Sequence, residues 1–458
     1  MELTVVRPTT GALWAHQQAA MERLLPLRAG MLLVGLGGGK TRIALEMLRK
    51  RGVRRALVLC PKAVMPHWEA QAGRWVPGLR VLRLEKGTIA QRAAALGVFS
   101  DGLAVLNYDA VPVKAMLAAI KRWAPEMLIM DEAQRLSAPG GQRSRAVAGI
   151  AAPWRLGLSG TVLQHSPLNA YGVYRALDPA ILGTSYTRFK LQFTAPCSWG
   201  EQDGLEMGRG GALTPYRFVN LDELHRKMMS IGYQVNTRDV LDMPPESDLV
   251  VSVDLEPEAR RVYRGLDHDL TVNIREGRLT ASNVLVRLLR LQQITGGSVT
   301  DDAGAVQAVS TAKERALEEY LDGLDTPEPV VVFCRFRADL AAVHRAAEQA
   351  GRTSLELSGS YNELAEWLNG EATVLAVQVA SGSLGVELHR AAYAVFYSLG
   401  YSLSEYLQAR GRLIRPGQTR PVLFTHLLAA GTVDAEVYRA LERREAVIES
   451  VMRTRGGR

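Results

Sequence analysis

The residues Gly35-Leu36-Gly37-Gly38-Gly39-Lys40-Thr41 directly follow the apolar run Met31-Leu32-Leu33-Val34. Glycines let backbone N–H groups converge on phosphate oxygens without a Cβ in the way. A helix opening after such a turn points its positive end at the same anion. In this arrangement Lys40 reaches the β- and γ-phosphates, and the Thr41 hydroxyl sits on Mg²⁺. Gly35, Gly37, Gly38, Gly39, Lys40 and Thr41 are therefore candidate ligands of a nucleotide's phosphates and of Mg²⁺. One position departs from the strict pattern: Val34 stands where a glycine five residues before Gly39 is usual.

Further along, Met130-Asp131-Glu132-Ala133-Gln134 follows the apolar residues Met127–Ile129. An aspartate at a strand tip holds Mg²⁺, and a glutamate beside it orients and polarises the attacking water. Asp-Glu pairs are common on surfaces. The place of this one, after a buried strand and downstream of a phosphate loop, gives it a chemical reading. Leu158-Ser159-Gly160-Thr161 ends the next apolar run. Near the C-terminal end, Gln408-Ala409-Arg410-Gly411-Arg412-Leu413-Ile414-Arg415-Pro416-Gly417-Gln418 sets arginines three residues apart. On a helix Arg412 and Arg415 share a face. They would act in trans to the phosphate loop on charge developing at the γ-phosphate. The competing reading is a solvated basic face.

These groups need a scaffold, and the hydropathy pattern supplies two. Strands are predicted over Met31–Gly35, Ala56–Cys60, Arg80–Leu84, Leu103–Asn107, Met127–Asp131 and Arg155–Ser159, with amphipathic stretches such as Arg42–Lys50 and Val64–Trp75 between them. Alternation of strand and helix on this scale means a parallel sheet covered on both faces. The pattern stops near Pro179. It resumes at Val330–Cys334, Ser354–Leu357, Thr373–Val377, Tyr393–Tyr397 and Val422–His426. The expected division is a first lobe over residues 1–179, a helical and irregular insert over 180–310, and a second lobe over 311–458. Within the insert, Gly208-Arg209-Gly210-Gly211 reads as a mobile loop. Residues 257–293 read as helical, with Leu285, Leu288, Leu289 and Ile294 on one face.

The chain has 458 residues, 47% of them hydrophobic, enough for two cores of roughly 200 residues each. Its formal net charge of +8 suits a polyanionic partner. The cluster Arg49-Lys50-Arg51 with Arg54-Arg55 reads as the solvated end of the helix after the phosphate loop. Cys60, Cys197 and Cys334 are too far apart for a disulfide set or a zinc site, and the first and last are expected as buried thiols. The scattered histidines form no metal-spaced cluster, and most are expected at the surface or in local hydrogen bonds. No apolar run approaches a membrane span, and Met1-Glu2-Leu3-Thr4 does not open a secretory signal. The expectation is a cytoplasmic protein with no membrane partner.

The ordered set of motifs resembles superfamily-two helicases and, within them, the Swi/Snf-type DNA-dependent ATPases. Ala15-His16-Gln17 resembles the adenine-reading glutamine segment, and Gly35–Thr41 the phosphate loop. Leu59-Cys60-Pro61-Lys62-Ala63-Val64-Met65-Pro66-His67-Trp68 and Asn107-Tyr108 resemble DNA-facing segments, and Asp131–Gln134 with Ser159–Thr161 the next two motifs. Val332-Phe333-Cys334-Arg335-Phe336, Ala380-Ser381-Gly382-Ser383-Leu384-Gly385-Val386-Glu387-Leu388 and Gln408–Gln418 resemble the three of the second half, and Thr237-Arg238-Asp239-Val240 echoes the link between lobes. Val162 and Gln134 replace a more usual proline and histidine, and Gly400-Tyr401-Ser402 replaces an Asp-Trp-Asn-Pro-like segment. Nothing resembles a histone-tail reader, so the likeness is to a compact bacterial or phage-type member.

The resemblance implies two tandem RecA-like α/β lobes that hydrolyse Mg-ATP in the cleft between them while moving on DNA, duplex preferred. It implies that Gln17 reads adenine, that Lys62, Asn107, Tyr108, Arg335, Ser381 and Gly382 contact DNA, and that Gln134, Ser159 and Thr161 couple the ATP site to the rest. A monomer is favoured, and protein partners stay unidentified. A strand-separating DNA or RNA helicase and a nucleic-acid-binding scaffold with a silent or partner-dependent ATPase are the alternative readings.

Overall fold

The computed structural model describes residues 11–35, 37–160, 163, 166–198, 203–207, 213–236, 240, 243–275, 281–300, 306–324, 328–379, 386–415 and 417–452. The chain divides into two compact units, residues 1–242 with 446–458, and residues 243–445.

The first unit is built on strands β1 (Ala29–Val34), β2 (Arg55–Cys60), β3 (Val81–Arg83), β4 (Gly102–Asn107), β5 (Met127–Asp131) and β6 (Trp154–Ser159). Next come β7 (Thr194–Pro196), β8 (Gly204–Met207) and β9 (Leu213–Phe218), a small antiparallel sheet, and then β10 (Gly232–Val235). The main sheet runs β10-β1-β6-β5-β2-β4-β3, every neighbour parallel. Alternate residues enter separate cores: Met31, Leu33, Leu57 and Leu59 pack on one face, Leu32, Val34, Val58 and Cys60 on the other. Near-continuous apolar strands are the mark of a parallel sheet buried on both sides. The helix Lys40–Lys50 turns Ile43, Ala44, Met47 and Leu48 to the core, and Met65–Trp75 turns in Met65, Trp68 and Ala72 at helical spacing.

The second unit holds β11 (Glu246–Val253), the short hairpin β12 (Ser298–Thr300) and β13 (Val306–Ala308), then β14 (Val330–Cys334), β15 (Ser354–Leu357), β16 (Val374–Gln378), β17 (Tyr393–Phe396) and β18 (Val422–Ala429). Its sheet runs β11-β18-β17-β14-β16-β15, again all parallel. The fold class is thus α/β with two parallel-sheet lobes.

The stretch expected as an insert contributes to both sheets. β10 extends the first beside β1, and β11 edges the second beside β18. The helical stretch is two helices, Pro257–Arg275 and Ala281–Thr295. In the second of these, among the side chains described (286–295), Leu291, Gln292, Ile294 and Thr295 are buried and Leu289 is exposed, while the side chain of Leu285 lies outside the described ones. The expected face was therefore partly misplaced, because Gln292 and Thr295 are buried by hydrogen bonds rather than by apolar contact: Gln292 Nε2 donates to Leu399 O (2.9 Å) and Thr295 Oγ1 to Asp434 Oδ1 (2.8 Å). Cys60 and Cys334 are buried free thiols, as expected. The glycine run 208–211, the segment Thr237–Asp239, and Thr161, Ser381 and Gly382 lie outside the described residues. Among the described residues no helix is long and apolar enough to cross a membrane.

Candidate active site

Strand pairing brings the first-unit candidates together. β1 and β6 align Leu33 with Ser159, and β6 and β5 align Leu158 with Asp131. The phosphate loop, Asp131 and Ser159 therefore leave the sheet side by side at the carboxyl ends of their strands, where open parallel sheets bind ligands.

The loop's shape depends on its glycines. Gly37 and Gly39 have φ of +79° and +80°. A Cβ on Gly38 would stand 2.2 Å from Val34 Cγ1, and one on Gly39 would stand 2.2 Å from Gln17 Nε2. A larger residue at either position would have to displace the side chain it meets, and at Gly39 it would also have to adopt a left-handed backbone. Val34 accordingly packs on the loop it precedes, which is how the chain accommodates the departure from the strict pattern. Lys40 Nζ donates to Val34 O (2.9 Å) and Gly35 O (3.2 Å), so its ammonium is held over the loop. Gly160 lies against Val34 O and Gly35 Cα.

Gln17 is buried behind the loop. Its Oε1 accepts from Trp14 N (3.1 Å), and its Nε2 reaches Gly38 O (3.4 Å). One N–H and one lone pair of the amide are left. His16, buried beside it, places Nε2 2.8 Å from the same carbonyl; burial lowers its pKa, and the bond to Gly38 O opposes that shift. The expectation of a surface or merely local histidine is corrected here: His16 bridges to a loop 22 residues away.

Asp131 is 7% exposed. Trp68 Nε1 donates to its Oδ2 (2.8 Å), Glu132 N to its Oδ1 (3.0 Å), and Tyr108 Oη to its backbone O (2.8 Å). Burial and the adjacent Glu132 carboxylate hold Asp131 well above the usual carboxylate range, while Trp68 and Lys40 pull it back. Two carboxylates at a buried strand end are the donor set that a divalent cation satisfies. Among the described residues no group of three or more His, Cys, Asp or Glu gathers as a metal cage. Mg²⁺ needs none, being held by one or two protein oxygens and the substrate's phosphates. Thr41, in the first turn of the loop helix, and Asp131 fit that role.

Glu132 sits at φ +52°, and its carboxylate accepts from Gln134 Nε2. Gln134 Oε1 in turn accepts from Ser159 Oγ (2.7 Å). Gln134 and Ser159 are both buried, so a polar relay joins the two motifs. Tyr108 was placed differently by sequence reasoning, and the role of Trp68 was missed. Tyr108 was expected to contact DNA. It is 2% exposed, and its hydroxyl is spent on Asp131, so its side chain is a tie within the site. Trp68 ends a segment that resembles a DNA-facing motif; its hydrogen bond to Asp131 spans 63 residues, and no local pattern carries it.

In the second unit the helix Leu403–Arg410 ends before Arg412 and Arg415. The expectation that they share a helix face is corrected: both follow the helix in a turn. Arg412, 4% exposed, donates from Nη1 to Val386 O (3.4 Å). Arg415 donates from Nη1 to Glu387 Oε1 (2.8 Å) and from Nε to Gly411 O (3.1 Å), and burial lowers its pKa. A solvated basic face does not describe either one. Arg410 is structural, tied to Glu246 and Asp248 of β11. Gln418 donates to His389 O (2.9 Å) and Ala391 O (2.8 Å).

Of the remaining candidates, Lys62 is exposed on the single turn after β2. Asn107 accepts from Arg92 Nη1 (3.3 Å). Arg335 donates to Gln292 Oε1 and to no described acidic side chain, and it lines a cavity of about 270 Å³ with Phe336, Val379, Ser398 and Glu405.

A family model described as SNF2-related domain matches residues 16–297, more than half of the chain. The chain belongs to the SNF2-related family. A second model, the helicase conserved C-terminal domain, matches residues 312–417. Together they make this chain an SNF2-family, helicase-like ATPase core. It is 25% identical over 455 residues to protein p41 of Acyrthosiphon pisum secondary endosymbiont phage 1, covering 94% of this chain and 95% of that one. It is 23% identical to the DNA excision repair protein ERCC-6 of Homo sapiens (89% and 29% covered) and 22% identical to the DNA repair and recombination protein RDH54 of Saccharomyces cerevisiae strain RM11-1a (84% and 45%). The chain thus spans less than half the length of these two eukaryotic relatives. Among solved structures, the Sulfolobus solfataricus SWI2/SNF2 ATPase core in complex with dsDNA is similar at a TM-score of 0.45 and 20% identity, over 98% of this chain and 95% of that one.

Proposed function

We propose that this SNF2-family core is a DNA-stimulated ATPase that moves along duplex DNA. The observation that carries the reading is the relay Ser159–Gln134–Glu132 beside Asp131 and the glycine-held loop, all at adjacent strand ends. Lys40 and the N–H groups after Gly38 bind the β- and γ-phosphates, and Thr41 and Asp131 hold Mg²⁺, which when bound neutralises charge on the transferring phosphoryl group. The N–H and lone pair that Gln17 has left match what adenine offers at N7 and N6. Glu132, aimed by Gln134, orients the attacking water. Arg412 and Arg415 come from the second unit when it closes and meet the charge that develops during transfer. Lys62, Asn107, Arg335 and the segment around Ser381 and Gly382 hold DNA by its phosphates, which gives affinity with little sequence preference. Cycles of closing and opening move one unit along the strand.

The test is phosphate release with and without duplex DNA, in wild type, Lys40→Ala and Glu132→Gln. DNA is expected to raise the wild-type rate, Lys40→Ala to weaken nucleotide binding, and Glu132→Gln to bind ATP without turning it over. Wild-type turnover unchanged by any DNA or RNA, or undiminished turnover in Glu132→Gln, refutes the reading. A tailed-duplex assay separates translocation from strand separation.

A further inference from the structure

The loop helix Lys40–Lys50 carries a cation that the phosphate chemistry leaves unused. Arg42 follows Thr41, and its guanidinium carbon stands 3.9 Å from the centre of the Trp75 ring. Its Nη2 donates to Gly11 O (2.9 Å), in the segment that leads into the helix carrying Gln17. Glu46, one turn further along the loop helix, does not pair with it: both Glu46 oxygens are taken by Arg49 (3.0 and 2.6 Å). Holding a long side chain in one place costs rotamer entropy. Here an indole and a carbonyl do the holding. The indole is itself fixed, because Trp75 Nε1 donates to Gln71 Oε1 (2.7 Å) one turn earlier in its helix. Arg74 approaches the same ring at 4.6 Å. Burial is the main influence on the Arg42 pKa and lowers it, so the cation is partly out of water, yet a guanidinium keeps its charge at any physiological pH.

Arg42 leaves the loop beside Gln17. A Cβ on Gly39 would stand 2.2 Å from Gln17 Nε2 and 3.9 Å from Arg42 Cβ, so the amide and the arginine stem converge on one point of the loop. A base held through its edge by the Gln17 amide still has flat faces to take out of water. Aromatic faces carry negative charge density, and a guanidinium is flat and cationic. One side of the Arg42 guanidinium lies against Trp75, and the other is the surface on which a second ring fits.

We propose, on the reading of this loop as an ATP site, that Arg42 backed by Trp75 stacks on the face of the nucleotide base. The pocket then reads the base twice. Gln17 reads the edge and selects adenine, whereas Arg42 grips the face and adds affinity for any purine.

The experiment uses the full chain with Mg²⁺. ATP, GTP and inorganic tripolyphosphate, a phosphate chain with neither sugar nor base, each displace an ATP labelled with a fluorophore on its ribose. Melting of each variant checks folding. Arg42→Gln should weaken ATP and GTP about tenfold each, the scale of a partly desolvated cation on a ring, and leave tripolyphosphate within twofold of wild type. Arg42→Lys keeps the charge but loses the plane, and should still weaken ATP about fivefold. Trp75→Leu should weaken ATP about threefold to fivefold and spare tripolyphosphate. ATP binding within twofold of wild type in Arg42→Gln overturns the proposal. So does an equal loss of ATP and tripolyphosphate, which gives Arg42 to the phosphates or to the shape of the loop. A change of more than fivefold in the ratio of ATP to GTP affinity in Arg42→Gln also overturns it, because Arg42 would then read the edge. Wild-type ATP binding in a folded Trp75→Leu overturns the backing role of the indole. Wild type that binds neither ATP nor tripolyphosphate refutes the ATP site itself, a result distinct from all of these.

Discussion

Replacing Gln134 by leucine cuts the relay at both ends while keeping the side chain's volume. Gln134 is 1% exposed, donates to the Glu132 carboxylate and accepts from Ser159 Oγ at 2.7 Å. A hydrogen bond to a charged group contributes about 1.5–3 kcal/mol, and a neutral one about 1 kcal/mol. Because Gln134 touches the carboxylate proposed to orient the water, and not the phosphate loop, the first of these is expected to appear in kcat. At 1.36 kcal/mol per decade, kcat should fall about tenfold to 100-fold, with the KM for ATP nearly unchanged. Ser159→Ala, which loosens Gln134 without removing it, should cost about fivefold, equivalent to about 1 kcal/mol. The two effects should not add: once Gln134 is gone, the Ser159 hydroxyl has no route to Glu132, and a coupling of about 1 kcal/mol is expected. Gln134→His, which can still donate and accept, should keep most activity. The assay is phosphate release at saturating Mg-ATP and DNA. Turnover of Gln134→Leu within twofold of wild type, or costs that add fully with those of Ser159→Ala, refutes the relay.

Three further outcomes follow from the geometry. Gly39→Ala forces a Cβ into a φ of +80° and against Gln17 Nε2, so nucleotide affinity should drop about tenfold or more, read by titration with a fluorescent ATP analogue. Arg412→Lys and Arg415→Lys should each leave DNA binding near normal and lower single-turnover hydrolysis about tenfold, at least 1.4 kcal/mol, because an ammonium lacks the planar fork; near-normal rates in both return these arginines to a structural role. His426, buried against Tyr406, Asp248 and Arg410, is pushed down to about 4 from 6.5, chiefly by burial. Between those values the unfolded chain carries a proton that the folded chain does not, so stability is lost as pH falls. The loss should be about 2 kcal/mol from pH 7 to pH 5, and His426→Phe should flatten that part of the urea-midpoint profile.

The sequence by itself determined the family and both lobes, and it showed the glycine loop and the Asp-Glu pair each following an apolar strand. Those features are local. Apolar runs such as Met31–Val34 and Val330–Cys334 are buried on both faces whatever surrounds them, and glycines before Lys40 have few other uses. Tertiary structure decided the rest. β11 has most of its residues at least partly exposed, and Leu249 and Val250 are 44% and 47% exposed, so no burial pattern announces it; it is a strand because β18 offers a parallel edge. The helix ends at Arg410, with Gly411 following in a right-handed turn, so Arg412 and Arg415 lie beyond it, a boundary that an argument from three-residue spacing passes over. His16, Trp68 and Tyr108 stand in segments whose family likeness is legible, yet the polar atom of each reaches its partner in the site across 22, 63 and 23 residues of chain, which no local pattern shows. Periodicity specifies which side chains leave water. Which buried donor then meets which acceptor depends on strand order, and a buried polar atom must find a partner wherever that order puts one.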